Sequence, residues 1–143
     1  MDDNTEQPST VAIDHKIIED YILAMPRAVR EYPFGSEVAV YKASRTTGST
    51  DDAKMFALIA EDSNPVRLSL KCDPQLSEVL RDKYETVMAG YHLNKKHWNT
   101  MLMTGQMPWL EVQDLIRHSY NLVTGADAAP VYVTDQPGQP KSK

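Results

Sequence analysis

The chain has 143 residues, of which 41% are hydrophobic and 24% charged, and this matches the size and composition of one soluble globular domain. Its formal net charge of -5 argues against a generic nucleic-acid-binding protein, which usually carries a basic surface. The single cysteine, Cys72, excludes an internal disulfide and a multi-cysteine metal site. Short apolar runs and an acidic N-terminus predict neither a membrane span nor a secretory signal, so we expect a cytoplasmic location.

The N-terminal region is predicted to be a disordered tail over residues 1–12, followed by one helix. The tail is polar and contains a proline. The helix is indicated by apolar side chains at the spacing of one helical face, and it is expected to end before Pro26, because proline disfavours the α conformation in the preceding residue. These apolar side chains are Ile13, Ile17, Ile18, Tyr21, Ile22 and Met25.

The middle of the chain predicts a three-stranded meander. Its strands are expected over residues 38–43, 54–60 and 66–71. The connection over residues 44–52 has no apolar side chain and predicts a long hairpin loop. Apolar and polar residues alternate in the third strand, so Arg67 and Lys71 are expected to project from one exposed sheet face.

A second helix, a fourth strand and a third helix complete the predicted fold. Asp73 and Pro74 predict the start of the second helix, because the carboxylate caps free N–H groups and proline fits the first helical position. The fourth strand is expected over residues 98–103, and the last helix runs from Pro108 to a stop at Gly125.

The order α-β-β-β-α-β-α predicts an α+β domain over residues 13–124, in which helices cover one face of an antiparallel β-sheet. Residues 125–143 contain several prolines and glycines and are predicted to form a flexible C-terminal tail.

Three segments in this order are typical of a known family. They are the turn Pro33-Phe34-Gly35, the segment over residues 69–81, and the segment over residues 90–100, followed by Ser119-Tyr120 in the last helix. Through them the chain resembles the MmcQ/YjbR family of small bacterial proteins over roughly residues 14–124.

The resemblance implies a frataxin-like sandwich of sheet and helices. It also implies DNA binding, through a "double wing" likeness to a domain of a phage transcription activator. One feature departs from the family pattern: the first hairpin, over residues 42–54, is longer than the usual short turn and adds Asp51 and Asp52. Two acids near the tip of a wing weaken its fit to DNA.

The segment over residues 92–98 contains two lysines, two imidazoles, an amide and an indole, and no acidic residue occurs from Thr86 to Leu110. Such a segment is suited to contact phosphates and to stack on bases. The predicted nucleic-acid-binding residues are Arg67, Lys71, Arg81, His92, Asn94, Lys95, Lys96, His97 and Trp98.

The same residues also have a structural interpretation. Trp98 is the kind of residue that a core buries, and Lys71 and Lys95 are able to fasten the neighbouring loop by hydrogen-bonding its carbonyl oxygens. We therefore expect a non-enzymatic domain that binds DNA weakly, non-specifically and in a salt-dependent way. The alternatives are an adaptor that binds another protein or a small ligand and has no nucleic-acid role, and a stand-alone structural domain with no catalysis.

No catalytic, metal or cofactor site is predicted. The candidate ligands His92, His97, Cys72 and Asp73 match no zinc-binding spacing. The acids of the first helix, Asp14, Glu19 and Asp20, are expected to form a solvated face. Lys71 beside Cys72 would favour a thiolate, but the chain has no nucleophile elbow, no phosphate-binding glycine loop and no dinucleotide fingerprint.

Overall fold

The computed structural model describes residues 13–46, 48–49 and 51–125, together with the backbone of two short strands beyond them. The predicted N-terminal tail and most of the predicted C-terminal tail lie outside the described residues. The elements in chain order are α1 (His15–Leu23), β1 (Ala28–Glu31), β2 (Val38–Ala43), β3 (Lys54–Ala60), β4 (Arg67–Lys71), α2 (Pro74–Lys83), β5 (Val87–Ala89), β6 (Trp98–Leu102), α3 (Trp109–Thr124), β7 (Thr134–Gln136) and β8 (Gln139–Pro140).

Strands β1 to β6 form one antiparallel sheet in the order β1-β2-β3-β4-β6-β5, while β7 and β8 pair with each other. The predicted α+β class and the predicted order of helices and strands are confirmed. The sheet also has two edge strands that the sequence analysis missed. They contain only 4 and 3 residues, too few for the alternation of polar and apolar side chains to stand out.

The helices begin and end where the local chemistry predicts. Asp14 Oδ1 accepts the N–H of Ile17 at 3.0 Å, and Asp73 Oδ2 caps the first turn of α2, where Pro74 takes the first position. Helix α3 ends at Gly125, which has a φ of 71° that glycine adopts without strain. Within the described residues, no helix combines the length and the apolar character that a membrane crossing requires.

All three helices pack on one face of the sheet, around a single apolar core. Ile18 of α1, Leu80 of α2 and Ile116 of α3 are at most 1% exposed and belong to the same cluster as the inward-facing strand residues. The Ser119 hydroxyl of α3 donates to the carbonyl oxygen of Phe56 in β3, which fixes this helix against the sheet.

The opposite face of the sheet is only partly covered. Val40, Leu58 and Trp98 form a small apolar cluster there, with Leu93 packed against it. Among the described residues no helix covers this face, and its apolar side chains are shielded there by the connections at the sheet ends. We call it the open face.

We expect the cavity left by truncating a core side chain of α3 to be costly. Ile116→Ala should lower the free energy of unfolding by about 2–5 kcal/mol, because Ile116 is fully buried. Leu110→Ala, on the same helix but 74% exposed, should change it by less than about 0.5 kcal/mol. Urea denaturation measures both values, and equal losses would contradict this description of the core.

Candidate functional site

The open face carries a groove with a cavity volume of about 340 Å³. Its sides come from the connections at the sheet ends, where Phe34 is 65% exposed and Tyr91 is 54% exposed. The residues that line it are Phe34, Val38, Leu58, Ala60, Arg67, Ser69, Tyr91, His92 and Leu93. We call this cavity the open-face groove.

The pairing of the strands explains why space remains there. Val38, Ala60 and Arg67 are direct cross-strand partners in β2, β3 and β4, so their side chains share one row on the open face. In the next row Leu58 is the partner of Ser69. The small side chains of Ala60 and Ser69 leave room between larger neighbours, and that room is the groove.

Arg67 supplies the groove's guanidinium group. Its Cζ lies 5.0 Å from the centre of the Tyr91 ring, within the range of a cation–π contact. The side chain is half-buried, and among the described residues it forms no hydrogen bond and no ion pair. The Tyr91 ring also lies 4.0 Å from that of His92, whose φ of 58° is in the left-handed region that non-glycine residues adopt uncommonly.

The loop that carries Tyr91 is held down by hydrogen bonds to its own carbonyl oxygens. Lys95 Nζ donates to the carbonyl oxygen of Gly90 at 2.9 Å, and a guanidinium N–H of Arg81 donates to the carbonyl oxygen of Lys95 at 2.6 Å. Asn94 Oδ1 accepts the backbone N–H groups of Lys96 and His97. Three of the predicted nucleic-acid-binding side chains, those of Arg81, Asn94 and Lys95, are thus engaged in shaping the loop.

Gly90 anchors the start of this loop beside strand β6. Its N–H donates to the carbonyl oxygen of Trp98 at 2.9 Å. A β-carbon at position 90 would come within 2.7 Å of the Trp98 β-carbon and 3.1 Å of the Leu93 β-carbon. Position 90 therefore tolerates only glycine without movement of the loop.

The predicted nucleic-acid-binding residues fall into several environments. Trp98 is 6% exposed and packs with Val40 and Leu58, so its indole belongs to the core and is not free to stack on a base. Arg67 and Lys71 lie on the open face as predicted, although both are half-buried. The exposed members of the set are His92, Asn94, Lys95, Lys96 and His97.

Cys72 does not have the environment of a nucleophile. Burial raises the pKa of its thiol to about 11, which disfavours the thiolate that Lys71 alone would promote. The side chain is 3% exposed, and its backbone N–H donates to the carbonyl oxygen of His97 at 2.8 Å. Cys72 is therefore a small core residue.

The first helix contributes a buried polar network that the sequence analysis missed. Within the described part of the chain, the one cluster with metal-ligand chemistry is His15, Glu19 and Glu61. Glu19 Oε2 accepts hydrogen bonds from Arg30 at 2.6 Å and from the Tyr41 hydroxyl at 2.7 Å. The guanidinium already neutralises this carboxylate and opposes a bound metal cation, so the network is structural.

The same contacts decide the charge of Glu19. Burial alone would raise the pKa of its carboxyl group, but the hydrogen bonds from Arg30 and Tyr41 outweigh burial and lower it. The expectation of a solvated acidic face is wrong for this residue, which is only 7% exposed. The expectation of a solvated face holds better for the other two acids, since Asp14 caps the helix and exposed Asp20 pairs with Lys16.

The sequence predicts a binding role for only some of the residues that line the groove. Arg67 and His92 were among the predicted residues, and Phe34 stood in a recognised turn. Val38, Leu58 and Ala60 are predicted strand residues, and no sequence pattern marks them for binding. A large aromatic residue at a turn, as at Phe34, is the signal that could have located the site.

We expect Gly90→Ala to destabilise the protein by about 1–3 kcal/mol, because the added methyl group meets the Trp98 and Leu93 β-carbons in an already filled space. Urea denaturation measures the loss, and tryptophan emission should shift to longer wavelength as the loop moves away from Trp98. A variant with the parental urea midpoint would contradict the close approach of position 90 to Trp98.

Comparison with known sequences gives a consistent set of relatives. Residues 23–122 match the family model described as YjbR. The uncharacterized protein YjbR of Escherichia coli K12 is 34% identical over 86 residues, which cover 60% of this chain and 73% of that protein. The uncharacterized protein YbdF of Escherichia coli O157:H7 is 32% identical over 109 residues, or 76% and 83% of the two chains.

Solved structures show the same fold. The crystal structure of the Deinococcus radiodurans protein DR2400, a DUF419 domain, has a TM-score of 0.71 and 35% identity, and the match covers 78% of each chain. A crystal structure of a Pseudomonas syringae protein has a TM-score of 0.63 and 26% identity, over 78% of this chain and 99% of that one.

Proposed function

The chain belongs to the YjbR family, and from this premise we propose that it is a non-enzymatic binding domain whose open-face groove receives a small molecule. The geometry of the groove supports this proposal.

The observation that carries the proposal is an apolar cavity with a polar group at its side. A volume of about 340 Å³ falls within the range of small-molecule sites, which are mostly apolar and have a few polar groups that orient the ligand. Here the apolar part comes from side chains such as Val38 and Leu58, and the orienting group is Arg67. Such a cavity is suited to hold a ligand by burial and to align it by charge.

The segments through which the chain resembles its family meet at this groove. The first contributes Phe34, the second contributes Ser69, and the third contributes Tyr91, His92 and Leu93. These segments are far apart in the sequence, and the groove is where their side chains meet. This convergence favours the groove over other surfaces as the functional site.

The lining residues support binding over catalysis. No carboxylate lines the groove in the described part of the chain, and the Ser69 hydroxyl is bonded to that of Thr100 at 2.8 Å. A serine nucleophile needs a base within hydrogen-bond reach and a third group that orients this base. His92 is the possible base in the described lining, but no hydrogen bond joins it to Ser69 and no lining carboxylate orients it. The described lining therefore favours a domain without catalysis.

We expect a larger side chain at position 60 to block the groove. Ala60→Leu should weaken binding of the neutral fluorescent probe N-phenyl-1-naphthylamine by about tenfold, because Ala60 lines the cavity and the added carbons occupy its volume. Ala24→Leu makes the same change at an exposed position at the end of α1 and should leave binding unaltered. Fluorescence titration measures both.

The outcome of this titration decides the proposal. Saturable binding that only the Ala60 variant loses supports a ligand site in the groove. Absence of probe binding by the parent protein, or equal binding by both variants, contradicts it. Circular dichroism of each variant establishes that the sheet and helices are intact.

A second candidate function is weak, non-specific DNA binding. The exposed side chains of Lys96, His92 and His97 lie in a stretch without acidic residues, and this favours contact with phosphates. The charge available is limited, since Lys95 and Arg81 already bond to carbonyl oxygens of the loop. The chain as a whole also carries a net charge of -5.

If DNA binds there, the double variant Lys71→Ala/Lys96→Ala should lower duplex affinity several-fold at about 50 mM salt, because two phosphate contacts are lost. The double variant Lys16→Ala/Lys54→Ala removes the same charge at two exposed positions, one of them on the helical face, and should retain affinity. Fluorescence anisotropy measures both. Undetectable binding by the parent protein, or equal losses in the two variants, would exclude this function.

A further inference from the structure

The unpaired hydrogen-bond donors of Arg67 among the described residues indicate the chemical class of the ligand. We infer that the open-face groove binds a small monocarboxylic acid with a flat apolar body, whose carboxylate pairs with the Arg67 guanidinium. The inference rests on the proposed function and adds to it the class of ligand.

Arg67 differs from most other arginines of the described chain in having no oxygen partner. The guanidinium groups of Arg27, Arg30, Arg81 and Arg117 each donate to an oxygen of the protein. Arg67 is half-buried, and within the described residues its guanidinium contacts the face of the Tyr91 ring without a hydrogen-bond acceptor. Its N–H donors are therefore available to an anion that enters the groove, and such a pair would form charge-assisted hydrogen bonds.

The geometry of the guanidinium favours a carboxylate. Its planar set of N–H donors matches the two oxygens of a carboxylate and forms paired hydrogen bonds with them. The Tyr91 ring lies against the guanidinium and limits its freedom, so less side-chain entropy is lost on binding. The charge-assisted pair would form at the side of an apolar cavity, where water competes less.

The rest of the lining limits the charge of the ligand. In the described structure no lysine lines the groove, and His92 is the only other basic side chain there. Ser69 offers the one hydroxyl among the strand residues of the lining, and it is already bonded to Thr100. A phosphate monoester carries nearly two negative charges at neutral pH, and a single guanidinium would leave much of that charge uncompensated.

The aromatic side chains favour a flat body. Phe34 and Tyr91 both line the groove and expose 65% and 54% of their surface. A planar ring between them would bury part of both rings and would rest on Val38 and Leu58. A long flexible chain would lose more conformational freedom for the same buried area.

The test compares three naphthalene derivatives that share one flat body. Isothermal titration should show 2-naphthoate binding about tenfold more tightly than neutral 2-naphthamide, because only the acid forms a charge-assisted pair with Arg67. It should also bind more tightly than 2-naphthyl phosphate. Arg67→Gln should abolish the preference for the acid, and Arg67→Lys should restore part of it. Arg45→Gln, at an exposed guanidinium outside the lining, should leave the preference unchanged.

The following results distinguish failure of the inferred ligand class from failure of the proposed function. Equal affinity for the acid and the amide, or tighter binding of the phosphate, overturns the ligand class while N-phenyl-1-naphthylamine still binds in the groove. Failure of the parent protein to bind that neutral probe overturns both. Retention of neutral-probe binding by Arg67→Gln would confirm that this variant keeps its groove, so its lost preference reports on charge alone.

Discussion

The close approach of Gly90 to Trp98 is the constraint on which the open face depends. Because no side chain fits at position 90, the chain passes directly against β6 and donates its N–H to the Trp98 carbonyl oxygen. The ammonium group of Lys95 then closes the loop onto the Gly90 carbonyl oxygen. These contacts bring Tyr91 against Arg67, so one wall of the groove exists only because a glycine stands beside a buried indole.

The cationic side chains on this side of the molecule differ in whether they bond to oxygens of the protein itself. Arg81 and Lys95 use their donors on carbonyl oxygens of the loop, whereas Arg67 keeps its donors unused among the described residues. Local stability therefore depends on the engaged cations, and under the proposed function the choice of ligand depends on Arg67. A count of lysines and arginines does not separate the two roles, because the roles are set by which oxygens lie within reach.

Much of the fold could be predicted from local chemistry. Asp73 and Pro74 marked a helix start and Gly125 a helix end, because capping and backbone preference act within a few residues. Alternation placed Arg67 and Lys71 on one sheet face. The short strands β1 and β5 were missed, since they are formed by pairing with a neighbour more than by their own sequence.

The groove was harder to predict because its determinants are non-local. Its volume depends on Ala60 lying between Val38 and Arg67 across three strands, which requires the register of the sheet. The engagement of Lys95 depends on the path of the loop. The sequence is equally compatible with contact of Lys95 to a phosphate and with contact to a carbonyl oxygen.

The most direct test of the central claim, that the open-face groove binds a ligand, is a two-dimensional ¹⁵N NMR titration of the parent protein with 2-naphthoate, which locates the bound ligand. We expect shifted amide signals at residues 34, 67–69 and 91–93 and unchanged signals in α1 and α3; shifts confined to the helices, or none at all, would contradict the assignment of the groove as the binding site.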